Sequence, residues 1–545
     1  MEKPVSSEKP VPAKNPVSFS GRTLVRHGST LSLLTLISRI LGLLREMTKA
    51  SLLGTSALSD AFSVAFMIPN LFRRLFAEGS IAVAFIPTFK EYLLEDNREK
   101  TREFLSCFFT FLSFFVTLTV VAGILVTPLL VSVFGLEEYN ETVFLTRLMF
   151  PYLAFISLAA FFQGILNSLR IFTPSGLAPI LLNITTILCA YGLKDYTGNP
   201  ARAMALGILL GGFLEAAIQL PFVLKKDMSF FVTGLKKAIK NEGTRKVLLL
   251  IGPTIIGMAA YQLNDLVSTA LAGRAGEGVV SSLQYSLRLQ ELILGIFAVS
   301  IGTVLLPDLA EYAKTSRWEI FSERLLSAMN VIALITIPIT FFFMAQGENL
   351  IRLLFEARSF NEESVQLTLR AFYFHMPGLF FIALNRILAP AFYAQSNSKS
   401  PTLAGLISFG VNMIAAYILV NSFRGSGIAF ALSLASLVNT VFLLIFLKKN
   451  PDVPVGRILK SAALYSLKLI IFSAIALIPI LFLGKRLVAV FYGHGRIISL
   501  GLPFFLLALI YGTLGILLLL LSKDKQLKAI INMLGKRGKA KNQND

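Results

Sequence analysis

FLSCFFTFLSFFVTLTVVAGILVTPLLVSVF, residues 104–134, contains no Asp, Glu, Lys or Arg. About 20 mostly apolar residues in a helix cross the roughly 30 Å hydrocarbon layer of a membrane. The backbone there must satisfy its own hydrogen bonds, so the stretch reads as a transmembrane helix. Working outward, comparable segments lie near 28–50, 60–87, 142–168, 178–193, 202–224, 246–272, 279–306, 324–346, 366–387, 402–421, 426–447, 462–483 and 498–521. The expected fold is all-α and integral to the membrane, with about fourteen spans.

Composition agrees. Of 545 residues, 55% are hydrophobic and 15% charged, with mean hydropathy +0.70, against about 25% charged in a soluble domain. Cys107 and Cys189 both fall inside apolar runs and form neither a disulfide framework nor a metal-ligand cluster. The net charge of +20 is no argument for nucleic acid, because the cations gather in connections and tails between apolar segments. Residues 1–26 lack the short apolar core of a secretory signal peptide and read as a cytoplasmic tail.

The cations also orient the chain. One side carries Lys3, Lys9, Lys14, Arg22 and Arg26, the 88–103 loop, the 225–245 linker with its five lysines and Arg245, the 448–461 loop, and Lys523 to Lys541. The other has three glutamates and no cation over 135–141, and only scattered cations such as Lys194, Arg274 and Arg424. The positive-inside rule places both termini in the cytoplasm. Pro87, Glu91 and Tyr92 recur 220 residues later as Pro307, Glu311 and Tyr312. Pro174 with Asn183 similarly parallels Pro401 with Asn412. Two six-span lobes, 27–224 and 246–447, are therefore expected in parallel orientation about an axis along the membrane normal, a transporter layout. An extra span pair over 448–521 and a basic tail over 522–545 follow.

Charge inside the spans points to function. An arginine at mid-bilayer costs about 2.5 kcal/mol or more and normally faces a bundle interior or aqueous cavity. Span one carries Ser38, Arg39, Arg45 and Glu46; Arg39, Gly42 and Glu46 share a helix face. Span two carries Asp60, Asn70, Arg73, Arg74 and Glu78, and span eight Arg288 and Glu291. The competing reading is a set of interhelical salt bridges. Arg39, Arg45, Arg73 and Arg288 outnumber the acids placed to face them, however, and guanidinium forks suit phosphate oxygens.

The runs SRILGLLRE (38–46), SDAFSVAFMIPNLFRRLFAEGSIAVAFIPTF (59–89) and YSLRLQELILGIFAVSIGTVLLP (285–307) resemble the signature segments of the MurJ (MviN) lipid II flippases. These belong to the multidrug, oligosaccharidyl-lipid and polysaccharide exporter superfamily. The resemblance spans nearly the whole chain, with the C-terminal third matching by hydropathy only. It implies flipping of a peptidoglycan precursor linked to undecaprenyl pyrophosphate, from the cytoplasmic to the outer leaflet of a bacterial inner membrane, by alternating access. It further implies substrate contacts at Arg39, Arg45, Arg73 and Arg288, and supporting or gating roles for Ser38, Glu46, Asp60, Asn70, Arg74, Glu78 and Glu291. The final span pair corresponds to a lipid-facing groove. Membrane lipids and the cell wall synthesis machinery are the implied partners. No cofactor is implied beyond coupling to sodium, another ion or membrane potential. For a sodium site the chain offers Asp265 and Asn412, with Ala416 where a further ligand is expected. Leu287 replaces the acid that many members carry before Arg288.

Other classes fit less well. His27, His375 and His494 are scattered and build no zinc motif or triad, and no GxxxxGK[ST] loop supports ATP hydrolysis. Another undecaprenyl-linked oligosaccharide flippase remains the nearest alternative within transport. A cation-coupled multidrug exporter would handle cationic amphiphiles, which surplus arginine disfavours. A membrane enzyme acting on lipid-linked sugars would need an interfacial carboxylate pair or metal motif, and a scaffold has no use for uncompensated arginines.

Overall fold

With no water to satisfy a peptide group in hydrocarbon, regular structure here is helical. The computed structural model describes residues 21–75, 84–528 and 531. Its helices are α1 (Gly21–Leu53), α2 (Ala57–Arg73), α3 (Ile86–Leu94), α4 (Arg98–Ser132), α5 (Tyr139–Met149), α6 (Tyr152–Ser168), α7 (Thr173–Gly192), α8 (Pro200–Leu224) and α9 (Leu235–Lys240). They continue with α10 (Glu242–Arg274), α11 (Val279–Lys314), α12 (Trp318–Phe355), α13 (Glu362–His375), α14 (Gly378–Tyr393), α15 (Lys399–Leu447), α16 (Val455–Val490) and α17 (Leu502–Leu521), the last entered through a π-helical turn, Ile497–Gly501. Several starts are written locally. Ser56, Asn97, Asn199, Asn241 and Asn361 each accept a hydrogen bond from the amide three residues on.

Among the described residues, eight helices are long and apolar enough to cross a membrane, and the bent pair α13 and α14 makes a ninth candidate. The 49-residue α15 would be about 74 Å long if straight, far beyond one bilayer. It breaks at Arg424 (φ 47°, ψ −129°), between the two spans expected there. The expected spans over α1, α2 with α3, α10 and α11 are not among the eight. These are the segments whose charge marks them for function. The protein is thus an all-α, multi-pass membrane protein. Leu118, Leu125 and Leu129 of α4 are exposed, as a lipid-facing surface requires.

Two packing devices position the site. Gly207 and Gly211 stand one turn apart on α8, where added Cβ atoms would meet Thr186 Cα at 2.7 Å and Leu182 Cα at 2.9 Å. Only glycine lets α7 and α8 approach this closely, the small-xxx-small packing of membrane helices. The final pair docks on α12 instead. Phe342 lies 5.4 Å from Phe504 and 5.3 Å from Tyr511 between ring centroids, and the Tyr511 hydroxyl donates to Pro338 O at 3.0 Å. Outside the spans, Lys237 of α9 ties the linker to Glu103 at 2.8 Å; hydrogen bonding to that carboxylate holds the ammonium pKa above its ordinary value.

Gly211→Val should destabilise the protein by about 1–3 kcal/mol through overpacking against Leu182. Thermal unfolding in detergent checks this, with Gly512→Ala, which meets nothing within 4 Å, as the neutral comparison. An unshifted Gly211→Val transition would show that the α7–α8 contact is slack.

Candidate functional site

The charged residues of α1, α2 and α11 converge. Ser38, Arg39, Arg45, Glu46, Asn70, Arg73, Arg74, Arg288 and Glu291 all line one cavity of about 780 Å³, walled elsewhere by α6, α7, α8 and α10. The shared face of Arg39, Gly42 and Glu46 is the face α1 presents to it. Gly42 matters sterically. A Cβ there would come within 3.1 Å of an Arg288 guanidinium nitrogen, so the glycine lets α11 bring its arginine up against α1. Asn183 of α7 donates to Ser38 O at 3.3 Å and holds the third wall.

The cations are not equivalent. Arg45 pairs with Glu46 at 2.9 Å, its guanidinium 5.8 Å from the Phe66 ring centroid. Arg288 pairs with Glu291 one turn on at 3.2 Å. Arg73 Nε donates to Asn70 Oδ1 at 2.7 Å, and Arg74 reaches Gln262 Oε1 at 3.5 Å. Arg39 forms no hydrogen bond or ion pair with a described residue. Glu78 lies outside the described residues, so its expected pairing with Arg74 does too.

Two cavity residues change the charge count drawn from sequence. Glu215 of α8 and Asp265 of α10 also line the cavity. Among the described residues five arginines therefore face four acids, a smaller surplus than the spans suggested. Glu215 was legible as the only acid in its span. Its helix had simply not been tied to the site. His375 lines the same cavity, where its Nδ1 lies 2.7 Å from Ser286 Oγ. Asn412 does not line it: its Nδ2 donates to Asn264 Oδ1 at 2.8 Å and to Ser268 Oγ at 3.0 Å. No hydrogen bond joins it to Asp265. Those two oxygens are engaged by an amide donor, leaving only Asn412 Oδ1 buried without a partner. Among the described residues, no group of three or more His, Cys, Asp or Glu could hold a metal ion.

Asp60 sits apart from the cavity and has a different task. It is 2% exposed, and its carboxylate accepts from the backbone amides of Gly278 at 2.9 Å and Ser281 at 2.8 Å. Gly278, the N-cap of α11, has no side chain to offer and adopts φ 76° against Thr55. Asp60 thus caps α11 from α2, anion on helix N-terminus. Around it the two halves close. Thr55 Oγ1 lies 2.8 Å from Ser364 Oγ, Ala57 N donates to Glu277, Ser359 N to Ser51 O, and Tyr285 OH to Gly54 O. Buried Lys49, unflagged by the sequence reading, bridges the halves by donating to Ser63 and Gln284. This seal lies at the end of α1 opposite its N-terminus.

Comparisons with known proteins converge on one family. The family model described as lipid II flippase MurJ matches residues 49–497. The chain is 47% identical over 512 residues to a probable lipid II flippase MurJ of Treponema pallidum, covering 93% of this chain and 97% of the relative. It is 32% identical over 438 residues to the lipid II flippase MurJ of Burkholderia cenocepacia, covering 77% and 83%. Among solved structures, lipid II flippase MurJ in an inward closed conformation matches with TM-score 0.74 and 25% identity over 91% of this chain and 99% of that one. An inward-facing multidrug resistance MATE family transporter of the MOP superfamily matches at TM-score 0.63 and 14% identity, covering 77% and 99%, and shares the fold.

Removing the Asp60 carboxylate orphans two buried amides. Asp60→Ala should cost the sealed state about 1–3 kcal/mol, shifting its balance with the open one roughly five- to hundredfold. Cysteines placed at Thr55 and Ser364 read this out, and their crosslinking yield should fall. Undiminished crosslinking in Asp60→Ala would show that the seal does not depend on the cap.

Proposed function

The chain belongs to the lipid II flippase MurJ family, and on that premise we infer how this lipid II flippase works. The observation that supports the mechanism best is the cavity in which α1 and α2 of the first half and α11 of the second present five guanidiniums. A pyrophosphate is the anion such a surface suits. Its oxygens accept bidentate pairs from planar forks, each charge-assisted bond contributing roughly 1.5–3 kcal/mol. Arg39, which no described residue holds, makes the first contact, and Arg45, Arg73 and Arg288 complete the grip. The polyprenyl tail stays in lipid, at about 0.8 kcal/mol per CH₂. The exposed apolar surface of α16 and α17 is the groove proposed to guide it.

The seal around Asp60 closes one end of the cavity while the other admits the headgroup. Rocking of the halves then exchanges the two ends, and lipid II passes from the cytoplasmic to the outer leaflet. The positive-inside pattern supports a bacterial inner membrane with both termini cytoplasmic. Membrane potential acting on the anionic headgroup drives export at about 2.3 kcal/mol per charge per 100 mV. A cationic-drug exporter would share the fold, but its substrates would meet a surplus of arginine.

The arginines separate the binding reading from the structural one. Arg39→Ala should abolish complementation of a flippase-depleted bacterium while membrane abundance holds, since it strands no described partner. Arg45→Ala should lower both by leaving Glu46 unpaired. Arg→Lys keeps the charge but loses the fork, so partial function is expected at Arg45 and Arg73 and little at Arg39. Accessibility of lipid II to an externally added probe in the depleted strain is the direct measure. Full complementation by Ala at Arg39, Arg45, Arg73 and Arg288 would remove these residues from the substrate site.

A further inference from the structure

Glu215 is an acid that the mechanism above does not use. It is 3% exposed in the interior of α8, yet it borders the cavity. Its carboxylate forms no hydrogen bond or ion pair with a described residue; only its backbone carbonyl is engaged, accepting from Gln219 Nε2 at 3.0 Å. One turn on, Gln219 is 1% exposed, and its Oε1 is buried without a donor. Two acceptors thus sit on one helix face at i and i+4, both lacking a donor. A buried, undonated carboxylate is costly in ionised form. Protonated, the same group becomes a donor, and one O–H can serve the orphaned amide oxygen.

The charges around it decide what controls that proton. From α1 the cavity receives Arg39, Arg45 and Glu46, and from α2 Arg73, with Arg74 next to it. From α6 it receives Tyr152, while α7 places no ionisable side chain among the lining residues. On α5, Glu141 is held by Arg202 at 2.6 Å, and Arg147 donates to Ile124 O. Arg73 and Arg45 line the same cavity as Glu215. Both belong to the proposed pyrophosphate site.

We propose that Glu215 is a proton-binding site linked to the anion site. Its carboxylate offsets the charge of Arg45 and Arg73 across the shared cavity, without direct contact, while the cavity is empty, and it takes up one proton when a pyrophosphate-bearing lipid engages them. The inference rests on the reading of those arginines as the pyrophosphate site. An O–H bond forms at the carboxylate with a proton from cavity water, its charge passes from −1 to 0, and the proton leaves when the anion leaves. Linkage makes the effect reciprocal: protonation of Glu215 strengthens anion binding by the factor by which the anion strengthens protonation.

The test is lipid II binding to the full-length protein in nanodiscs between about pH 5.5 and pH 8.5. Both phosphates of this diester hold constant charge there. Wild-type affinity should fall as pH rises, by up to about tenfold per unit where the group titrates. Glu215→Gln, isosteric and neutral, should stay within about twofold across the range and bind at least about tenfold tighter at the alkaline end. Lipid II should also raise an infrared carboxylic-acid band in the wild type that Glu215→Gln lacks. A wild-type slope retained in Glu215→Gln, or no such band, overturns the proposal while leaving the flippase reading intact. Weaker binding by Glu215→Gln at every pH, together with wild-type binding weakened by acetylating the stem-peptide amine, overturns it in favour of an ammonium ligand. Absence of any lipid II binding by wild type overturns the pyrophosphate reading, and the inference with it.

Discussion

Hydrocarbon does not accept an unpaired charge, and the placement of nearly every charged side chain within the helices follows from that. An arginine at mid-bilayer costs about 2.5–3.5 kcal/mol on insertion scales. Arg39, Arg45, Arg73, Arg74 and Arg288 are tolerated because they turn from lipid into one cavity. The same constraint shapes the walls. Gly42 gives Arg288 room beside α1, and Gly207 with Gly211 draws α7 and α8 together around the opposite side. A polar cavity inside an apolar shell is the outcome.

Charge inside the cavity is nearly balanced, which bears on how a carrier works. Among the described residues four acids face five arginines and stabilise the empty protein, and an anionic substrate must compete with them. A site of arginines alone would bind an anion tightly and release it slowly. Interleaved acids weaken that grip and give each half of a transport cycle comparable energy. Glu46 and Glu291 hold their arginines directly. Glu215 and Asp265 line the cavity without such a contact to a described residue.

Sealing is achieved with a different vocabulary. The closure between the halves uses backbone amides, hydroxyls and one helix N-terminus, with Asp60 as its ionised centre. Such hydrogen bonds are individually modest, on the order of 1 kcal/mol, so a ring of them can be remade each cycle. The pair α16 and α17, in contrast, is fastened to α12 by packed aromatic rings. It is built to stay with one half while the seal breaks.

By itself the sequence determined the helical membrane architecture, because apolar run length and backbone satisfaction in lipid leave no other solution. It also marked Arg39, Arg45, Arg73 and Arg288, since a cation inside a span is conspicuous whatever the fold. Partnership was decided only by tertiary structure. Asp60 reads as one more intramembrane acid until α11 delivers the amides of Gly278 and Ser281 to it, residues 218 and 221 positions away. Glu215 is the lone acid of α8 and Lys49 one more cation in α1, and nothing local says that one borders the cavity while the other bridges to α11. Asn412 of α15 meets Asn264 and Ser268 of α10, 148 and 144 positions away, contacts that its own helix does not announce. Periodicity along a helix tells which residues share a face. What that face meets depends on how the helices pack, because partners hundreds of residues apart are joined only in three dimensions.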